Sequence, residues 1–446
     1  MTTRTDTNDQ LVEREILDDI FQRRSIYTSV DAPPGAGKTY LIETVVSIAV
    51  LEYGMRVAVV TPRRAQAADL ARRIRTAFVS IRVELLTRKG DVPNPALSAL
   101  GVITLDTTRA LNGGPGLVTS TVDKFAASYE QLSSAGFDMI IFDEAYQVTL
   151  AKALPLLALA PQIIMVGDPG QLEPFTEFAV ERFDAADIGV HHSLPRVIGQ
   201  QNPDVPTRKL RVTRRLPPDS VPYVQEAFYP TMPFTATATS EERRVAFRAA
   251  GMGDGIGIAL DKIADGASIV MLTLPAVARD LTVDTELSDL AVEIAQRLTV
   301  RQATWVARNE LVTADKMMYL DTHRASETET ELRLLAAPIG RLGFRGTPEV
   351  MQGLEAPVVI ARHPLSGLSA ASGFDLTPGR LCVMLSRHQL ACILLTRAHL
   401  PELLDAYEHD CGVRLAGGTD DIWNGFNAHR SIYRKLEAAK RIVPIV

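Results

Sequence analysis

Cysteine is scarce in this chain: three residues among 446, Cys382, Cys392 and Cys411, with no CxxC spacing. That excludes a disulfide scaffold and a thiolate-built zinc or iron–sulfur site, and it fits a reducing, cytoplasmic compartment. Long apolar runs are missing as well. No stretch could span a bilayer without charges, and the polar, mixed-charge segment 1–15 lacks the pattern of a signal peptide, so no membrane partner is expected. Aromatic residues make up only 6%, which leaves few platforms for stacking bases. The net charge of −6 argues against coating nucleic acid by bulk charge, while leaving room for a local basic groove. What is present is ordinary globular composition, 46% hydrophobic and 22% charged, over a length greater than one compact domain usually holds.

Apolar runs alternate with helical periodicity along the chain. Strands are expected over 26–30, 56–60, 101–105, 117–121, 139–142 and 163–166, with helices over 38–52 and 64–77 between them. The runs 139–142 and 163–166 are wholly apolar, as befits strands in the middle of a parallel sheet. This alternation predicts a doubly wound α/β fold. Pro195, Pro203 and Pro206 mark a connection between lobes over 187–208. A second alternating pattern follows, with strands over 268–272, 303–307, 357–361 and 392–396 and helices over 288–298, 402–409 and 427–443. The stretches 231–240 and 326–331 read as solvated loops or helix ends.

The sharpest local signal runs from Asp31 to Thr39 (DAPPGAGKT), after a strand and opening a helix. Gly35 and Gly37 let the backbone of the loop Pro34–Gly37 curl so that the N–H groups of Gly35, Ala36 and Gly37 face phosphate oxygens, with Pro34, which has no N–H, as part of the loop wall, and the helix start adds its positive dipole end. Lys38 is placed to neutralise the β- and γ-phosphates of ATP, and Thr39 to hold Mg²⁺. Ala32 stands where the usual pattern has its first glycine. Asp143 and Glu144 close an apolar strand, which aims both carboxylates out of the sheet: Asp143 toward the Mg²⁺ water shell, Glu144 toward the attacking water.

The order of these and later motifs resembles that of superfamily 1 helicases. Residues 143–147 (DEAYQ) are similar to the DEAxQ box, and 167–174 (GDPGQLEP) to the third motif. Residues 56–62 resemble the strand-plus-TP segment, 117–121 the short segment that follows it, and 210–218 the element opening the second lobe. Residues 348–355, with their QGxE core, resemble motif V, and 380–387 motif VI. The resemblance runs from about Asp31 to Arg387. The DEAxQ form looks closest to the branch containing the nonsense-mediated-decay RNA helicase and its DNA-acting relatives, which implies 5′ to 3′ movement.

The resemblance implies two tandem RecA-like P-loop domains, each a mostly parallel sheet flanked by helices. The first covers 1–205, with a small accessory segment near 78–116; the second covers 206–446 and ends in a C-terminal helix. It implies that Gln171 senses the γ-phosphate, that Arg215 and Arg387 act as arginine fingers, and that Gly353 and Glu355 face the nucleotide, Glu355 at the ribose. Thr61, Pro62 and Arg64, with Thr119 and Thr121, become the candidate contacts to single-stranded DNA or RNA. The stretch 303–313 stands where the family places a base-contacting Tyr and a phosphate-contacting Arg, with Asn309 and Thr313 near those places; Gln10 and Gln22 are candidates for adenine selection. Trp305 reads as a core residue, Tyr229 suits packing and base stacking equally, and no stacking residue is assigned. The small accessory segment implies a minimal engine, to which a partner protein would supply specificity or a strand-separating wedge. An alternative reading is a nucleotide-gated switch or scaffold ATPase that does not separate strands. A P-loop enzyme phosphorylating a small molecule leaves Gln171, the QGxE segment and Arg387 unexplained.

Overall fold

The computed structural model describes residues 4–172, 174, 188–277, 280, 282–407 and 421–445, with the side chains of 4–9 and 421 excepted. Cys411 and residues 408–409 of the expected helix lie outside them. Contacts divide the chain into two compact units: Met1–Pro169 with Glu173–Arg211, and Gly170–Leu172 with Val212–Val446.

The first unit is built on an eight-stranded sheet in the order β4-β3-β5-β2-β6-β7-β1-β8. Its strands are β1 (Tyr27–Asp31), β2 (Arg56–Thr61), β3 (Val83–Leu86), β4 (Ile103–Leu105), β5 (Gly116–Thr121), β6 (Met139–Asp143), β7 (Gln162–Gly167) and β8 (Thr207–Lys209). Every pairing in it is parallel. The helices are α1 (Arg4–Leu17), α2 (Lys38–Leu51), α3 (Arg64–Ala77), α4 (Pro95–Ala99), α5 (Val122–Ala127), α6 (Tyr129–Leu132), α7 (Leu150–Leu157) and α8 (Leu194–Gln201). Strand alternation divides the core. Val57, Val59, Met139 and Ile141 pack with α2 and α3 on one face. Ala58, Val60, Ile140 and Phe142 pack with α5, α7 and α8 on the other. A sheet covered on both faces explains why these strands read as unbroken apolar runs.

The second unit carries a six-stranded sheet, again parallel throughout. Its order is Phe344–Gly346, Met317–Leu320, Ala356–Arg362, His388–Arg397, Ile269–Leu274, Ile442–Pro444. The helices Thr285–Val300, Arg324–Ala336, Pro378–Leu385 and Asp421–Ala438 flank it. The fold class is the α/β one that the sequence leads us to expect: parallel sheets flanked by helices in both units.

Several local expectations change. Of the expected connection 187–208, residue 187 lies outside the described residues, and 188–208 is no bare connection: α8 buries Leu194, Val197 and Ile198 in the first core, and β8 pairs with β1 at the sheet edge. Residues 326–331 lie inside the helix Arg324–Ala336, with Ser326, Glu327 and Thr330 buried; the buried hydroxyl of Thr330 is satisfied by Ser288 Oγ at 2.9 Å, so polarity here does not mean solvent. The C-terminal helix stops at Ala438, Lys440 takes φ +55°, and Ile442–Pro444 becomes an edge strand beside Met271–Thr273. Residues 303–313 belong not to the large sheet but to a small antiparallel one, in which Ala303–Trp305 pairs with Val245–Phe247 and Glu310–Leu311. Asn309 and Thr313 therefore come directly after strands of the small sheet or its turns, and not directly after a strand of the large one.

Candidate nucleotide site

In the first unit, the register of three strands builds the site. Val30 of β1 pairs with Val166 of β7, which pairs with Asp143 of β6; Asp31 pairs with Gly167. The phosphate loop and the acid pair therefore leave the same edge of the sheet, two strands and on the order of 10 Å apart. Alternation puts Asp143 on the face of Met139 and Ile141, the face that α2 covers. The loop itself turns on Gly35 (φ +71°) and Gly37 (φ +97°), positions where a side chain would be strained. Ala32 has no positive φ, and its N–H donates to Gly167 O at 2.8 Å, so this position needs no glycine. Gly37 caps α2 with no side-chain hydrogen bond, which leaves the first N–H groups of α2 facing outward from the helix start.

Lys38 Nζ lies 3.5 Å from Glu144 Oε1. Glu144 is buried and takes a left-handed backbone, φ +53° and ψ +44°, a conformation that costs a non-glycine residue about 1–2 kcal/mol. Its N–H donates to Asp143 Oδ1 at 2.9 Å, which helps hold the turn. Gly167 is needed next to it: a Cβ there would stand 2.8 Å from Tyr146 Cδ2. Tyr146 Oη in turn donates to Asp31 Oδ1 at 2.8 Å. Tyr146 and Asp31 were not singled out from the sequence, although both stand inside its two clearest motifs.

The corner is crowded with acid. Burial raises the pKa of Asp143, the Glu144 carboxylate raises it further, and Lys38 pulls the other way. Burial also raises Asp31, partly offset by Tyr146 and Lys209 and reinforced by Asp168. A divalent cation would relieve that crowding. Among the described residues no three His, Cys, Asp or Glu side chains gather to hold a metal. Mg²⁺ itself uses one or two carboxylates together with water and substrate phosphates. Thr39, half-buried at the second position of α2, and Asp143 are the residues that would hold it.

In the second unit the candidate residues also converge. Gly353 takes φ +86° and turns the chain between Pro348–Met351 and Ala356–Arg362, bringing out Glu355. Arg215 Nε donates to Glu355 Oε2 at 2.6 Å and its Nη1 to Ser386 O at 3.1 Å. Gln389 Nε2 donates to Glu355 Oε1 at 2.8 Å. Burial pushes the Glu355 pKa up, but Arg215, with Arg387 and Gln389, more than reverses this and holds it below the ordinary value. Arg387 is 1% exposed, and its guanidinium donates to Val383 O (3.3 Å), Leu354 O (3.4 Å) and Ser386 Oγ (3.1 Å). Gln171 clusters with this unit and accepts a hydrogen bond from Gln352 Nε2 at 3.1 Å. Two glycines seat that segment: a Cβ on Gly170 would meet the Tyr229 ring at 2.4 Å, and one on Gly379 would meet Leu172 at 2.7 Å. Gln352 is a site residue that reasoning on single motifs missed; its signal was the Gln before Gly353.

The candidate strand contacts divide by exposure. Thr61 and Thr119 are fully buried, and the Thr61 hydroxyl donates to Arg63 O at 2.8 Å, so neither offers a side chain to a strand. Pro62 and Thr121 are half-buried and Arg64 is exposed. Thr121 caps α5 by accepting from Lys124 N at 3.2 Å, and Arg64 pairs with Asp91 at 3.3 Å. Gln10 and Gln22 are both exposed. Trp305 is buried, donates Nε1–H to Glu242 O at 2.7 Å and has the Arg308 guanidinium 3.7 Å above its ring centre. Trp305 packs, as expected of it, and Tyr229, whose role the sequence leaves open, is buried too. Among the described residues no helix is long and apolar enough to cross a membrane.

Comparison with known proteins bears on the same region. Residues 12–209 match the family model described as an AAA domain, and that span holds the phosphate loop, the acid pair and Gln171. Over 215 residues the chain is 28% identical to the DNA replication ATP-dependent helicase/nuclease DNA2 of Saccharomyces cerevisiae; the match covers 45% of this chain and 13% of that protein. The chain thus spans a small part of the length of this curated relative. Among solved structures, the arterivirus nonstructural protein 10 helicase in complex with DNA is similar with a TM-score of 0.45 and 15% identity, covering 85% of this chain and 62% of that one. The Escherichia coli DEAH/RHA helicase HrpB gives a TM-score of 0.40 and 14% identity, covering 90% and 44%.

Proposed function

We propose that this protein is an ATP-dependent helicase or single-strand translocase, of the DEAxQ branch of superfamily 1, that couples hydrolysis to closure of its two units and moves 5′ to 3′. The observation that carries the reading is the corner of the first unit. There an uncapped helix start, Lys38 and two buried acids leave one sheet edge together, with Lys38 Nζ 3.5 Å from Glu144 Oε1. Mg²⁺ bound with ATP supplies charge neutralisation at the phosphates. The chain's own residues do the rest. The N–H groups at the start of α2 and Lys38 bind phosphate oxygens; Thr39 and Asp143 hold the cation in place; Glu144 orients a water and accepts its proton at a carboxylate oxygen. Arg215 and Arg387 act as arginine fingers that stabilise charge on the transferred group, and Glu355 orients the ribose. Gln171 and Gln352 report the phosphate state to the second unit. The similarity over 215 residues to a curated helicase/nuclease supports nucleic acid as the second substrate.

The test is ATP turnover measured with single-stranded DNA, single-stranded RNA, and duplexes bearing 5′ or 3′ tails. The reading expects single strands to stimulate turnover, with the effect fading as salt rises, and 5′-tailed duplexes to be the better substrates for movement. Turnover indifferent to every strand would leave a nucleotide-gated switch as the better account.

A further inference from the structure

The first unit holds a cavity of about 320 Å³ away from the phosphate loop, lined on one side by Arg64, Ala67 and Ala68 of α3 and on the other by residues of 85–97, with Thr104, Thr121 and Lys124 completing it. It lies at the carboxyl ends of β3 and β5, the edge of an open parallel sheet where ligands characteristically bind. Its size is at the lower end for a small-molecule site. The floor is apolar: Ala67, Leu85, Leu86 and Leu97 are all buried. The mouth is cationic. Arg64, Arg88 and Lys124 line it against a single acid, Asp91, and Asp91 is already engaged by Arg64 and by the Arg88 N–H. At the lip stands Val92, an apolar side chain 89% exposed. Inside, the Thr104 hydroxyl is buried with no hydrogen-bond partner, and a buried hydroxyl left unpaired is costly unless a ligand satisfies it.

A dry floor, a positive rim and one unsatisfied hydroxyl match a ligand with a flat, weakly polar body and an anionic tail. A nucleoside monophosphate unit has that chemistry: its base fills the apolar floor and offers an edge to Thr104, while its phosphate meets Arg64 and Arg88 at the start of α3, a 14-residue helix with no side-chain capping bond to its first N–H groups. Two of the lining residues, Arg64 and Thr121, are also candidate contacts to the strand. We infer that the cavity between α3 and segment 85–97 takes one base of the bound single strand, turned out of the stack, so that the chain grips its substrate by a base as well as by phosphates. This rests on the strand-translocase reading and deepens it. It also gives segment 78–116 a task other than strand separation: it walls a base pocket.

The test fills the pocket. Ala68 is half-buried on α3 and outside the nucleotide corner, so Ala68→Phe occupies the cavity, and Thr104→Val removes the hydroxyl while keeping its shape. Basal ATP turnover without strand, expected within about twofold of the parent for both, checks that the variants fold. Affinity is then measured for labelled oligo(dT) or oligo(U), whichever stimulates turnover, and for the same oligomer carrying abasic sites, at one stated salt. Ala68→Phe is expected to weaken binding of the intact strand about tenfold and to leave abasic binding unchanged, with Thr104→Val showing a smaller shift of the same pattern. Equal losses on both oligomers, or no loss on either, would overturn the inference while leaving the translocase reading intact. If the parent protein bound no strand at all, both would fall. Free thymidine monophosphate at millimolar concentration is expected to leave basal turnover unchanged; a change that Ala68→Phe abolishes would assign the cavity to a free nucleotide and overturn the strand assignment.

Discussion

The two units handle charge in opposite ways. In the first, Asp31, Asp143, Glu144 and Asp168 are all buried; burial raises the pKa values of Asp31 and Asp143, with Asp168 reinforcing the first and Glu144 the second, against Lys209 and Lys38 respectively. In the second, the arginines are already hydrogen-bonded: Arg215 to the Glu355 carboxylate, and Arg387 to two backbone carbonyls and a hydroxyl among its partners. An electrostatically unbalanced corner is one that a cation and a polyphosphate stabilise on binding. A balanced cluster gains less, and its arginines reach a phosphate only by giving up partners. The difference teaches that nucleotide affinity should reside in the first unit, and that the second should contribute to rate.

That division can be broken most simply at Lys38. Lys38→Ala is expected to weaken ATP binding by roughly 100-fold or more, about 2.7 kcal/mol, as read by titration with a fluorescent ATP analogue; affinity close to the parent value would move the binding site elsewhere. Arg387→Ala sharpens the other half. As an arginine finger its loss should lower kcat by on the order of 10³-fold while ATP affinity moves by no more than about threefold. It also removes a donor from the Leu354 carbonyl, at a cost of about 1–3 kcal/mol if water does not replace it, whereas the Val383 carbonyl keeps the Ser386 N–H at 3.2 Å. Arg387→Gln, which keeps two donors, should restore part of the thermal stability and little of the turnover. A variant that regained both would mark Arg387 as structural. The smallest effect is at Glu355. Because that carboxylate is about half exposed, Glu355→Gln should cost less than about 1 kcal/mol. Since Arg215 lowers the Glu355 pKa in the folded state, the difference between parent and variant should be fully present above about pH 4.3, the ordinary Glu value, and shrink as pH falls below it. A difference that grew with acid would have the wrong sign.

Much of this comparison was legible in the residues. Strands buried on both faces announce themselves as apolar runs, and Gly35, Gly37 and the acid pair carry their chemistry in their spacing. Short strands are less legible: Val83–Leu86, paired on both sides, carries no signal of its own, and the edge strand Ile442–Pro444 reads as part of a helix, because three or four residues carry no period that separates strand from helix. The polar stretch 326–331 misled because its buried hydroxyls are satisfied by partners distant in the chain. Thr61 and Thr119 misled for a related reason. Strand alternation turns them into the sheet, whereas the exposed Arg64 opens the next helix and reaches the surface. The pairings Arg215–Glu355, Gln171–Gln352 and Tyr146–Asp31 link residues from different motifs, and no single motif could have shown them.

The most direct test of the central claim, that the corner of the first unit performs the hydrolysis, is Glu144→Gln, followed by ATP affinity and single-turnover hydrolysis on the same preparation. The account predicts nucleotide bound at least as tightly as by the parent chain and hydrolysis slowed by on the order of 10²–10⁴-fold. Hydrolysis at near-parental rate with Glu144 replaced would contradict it.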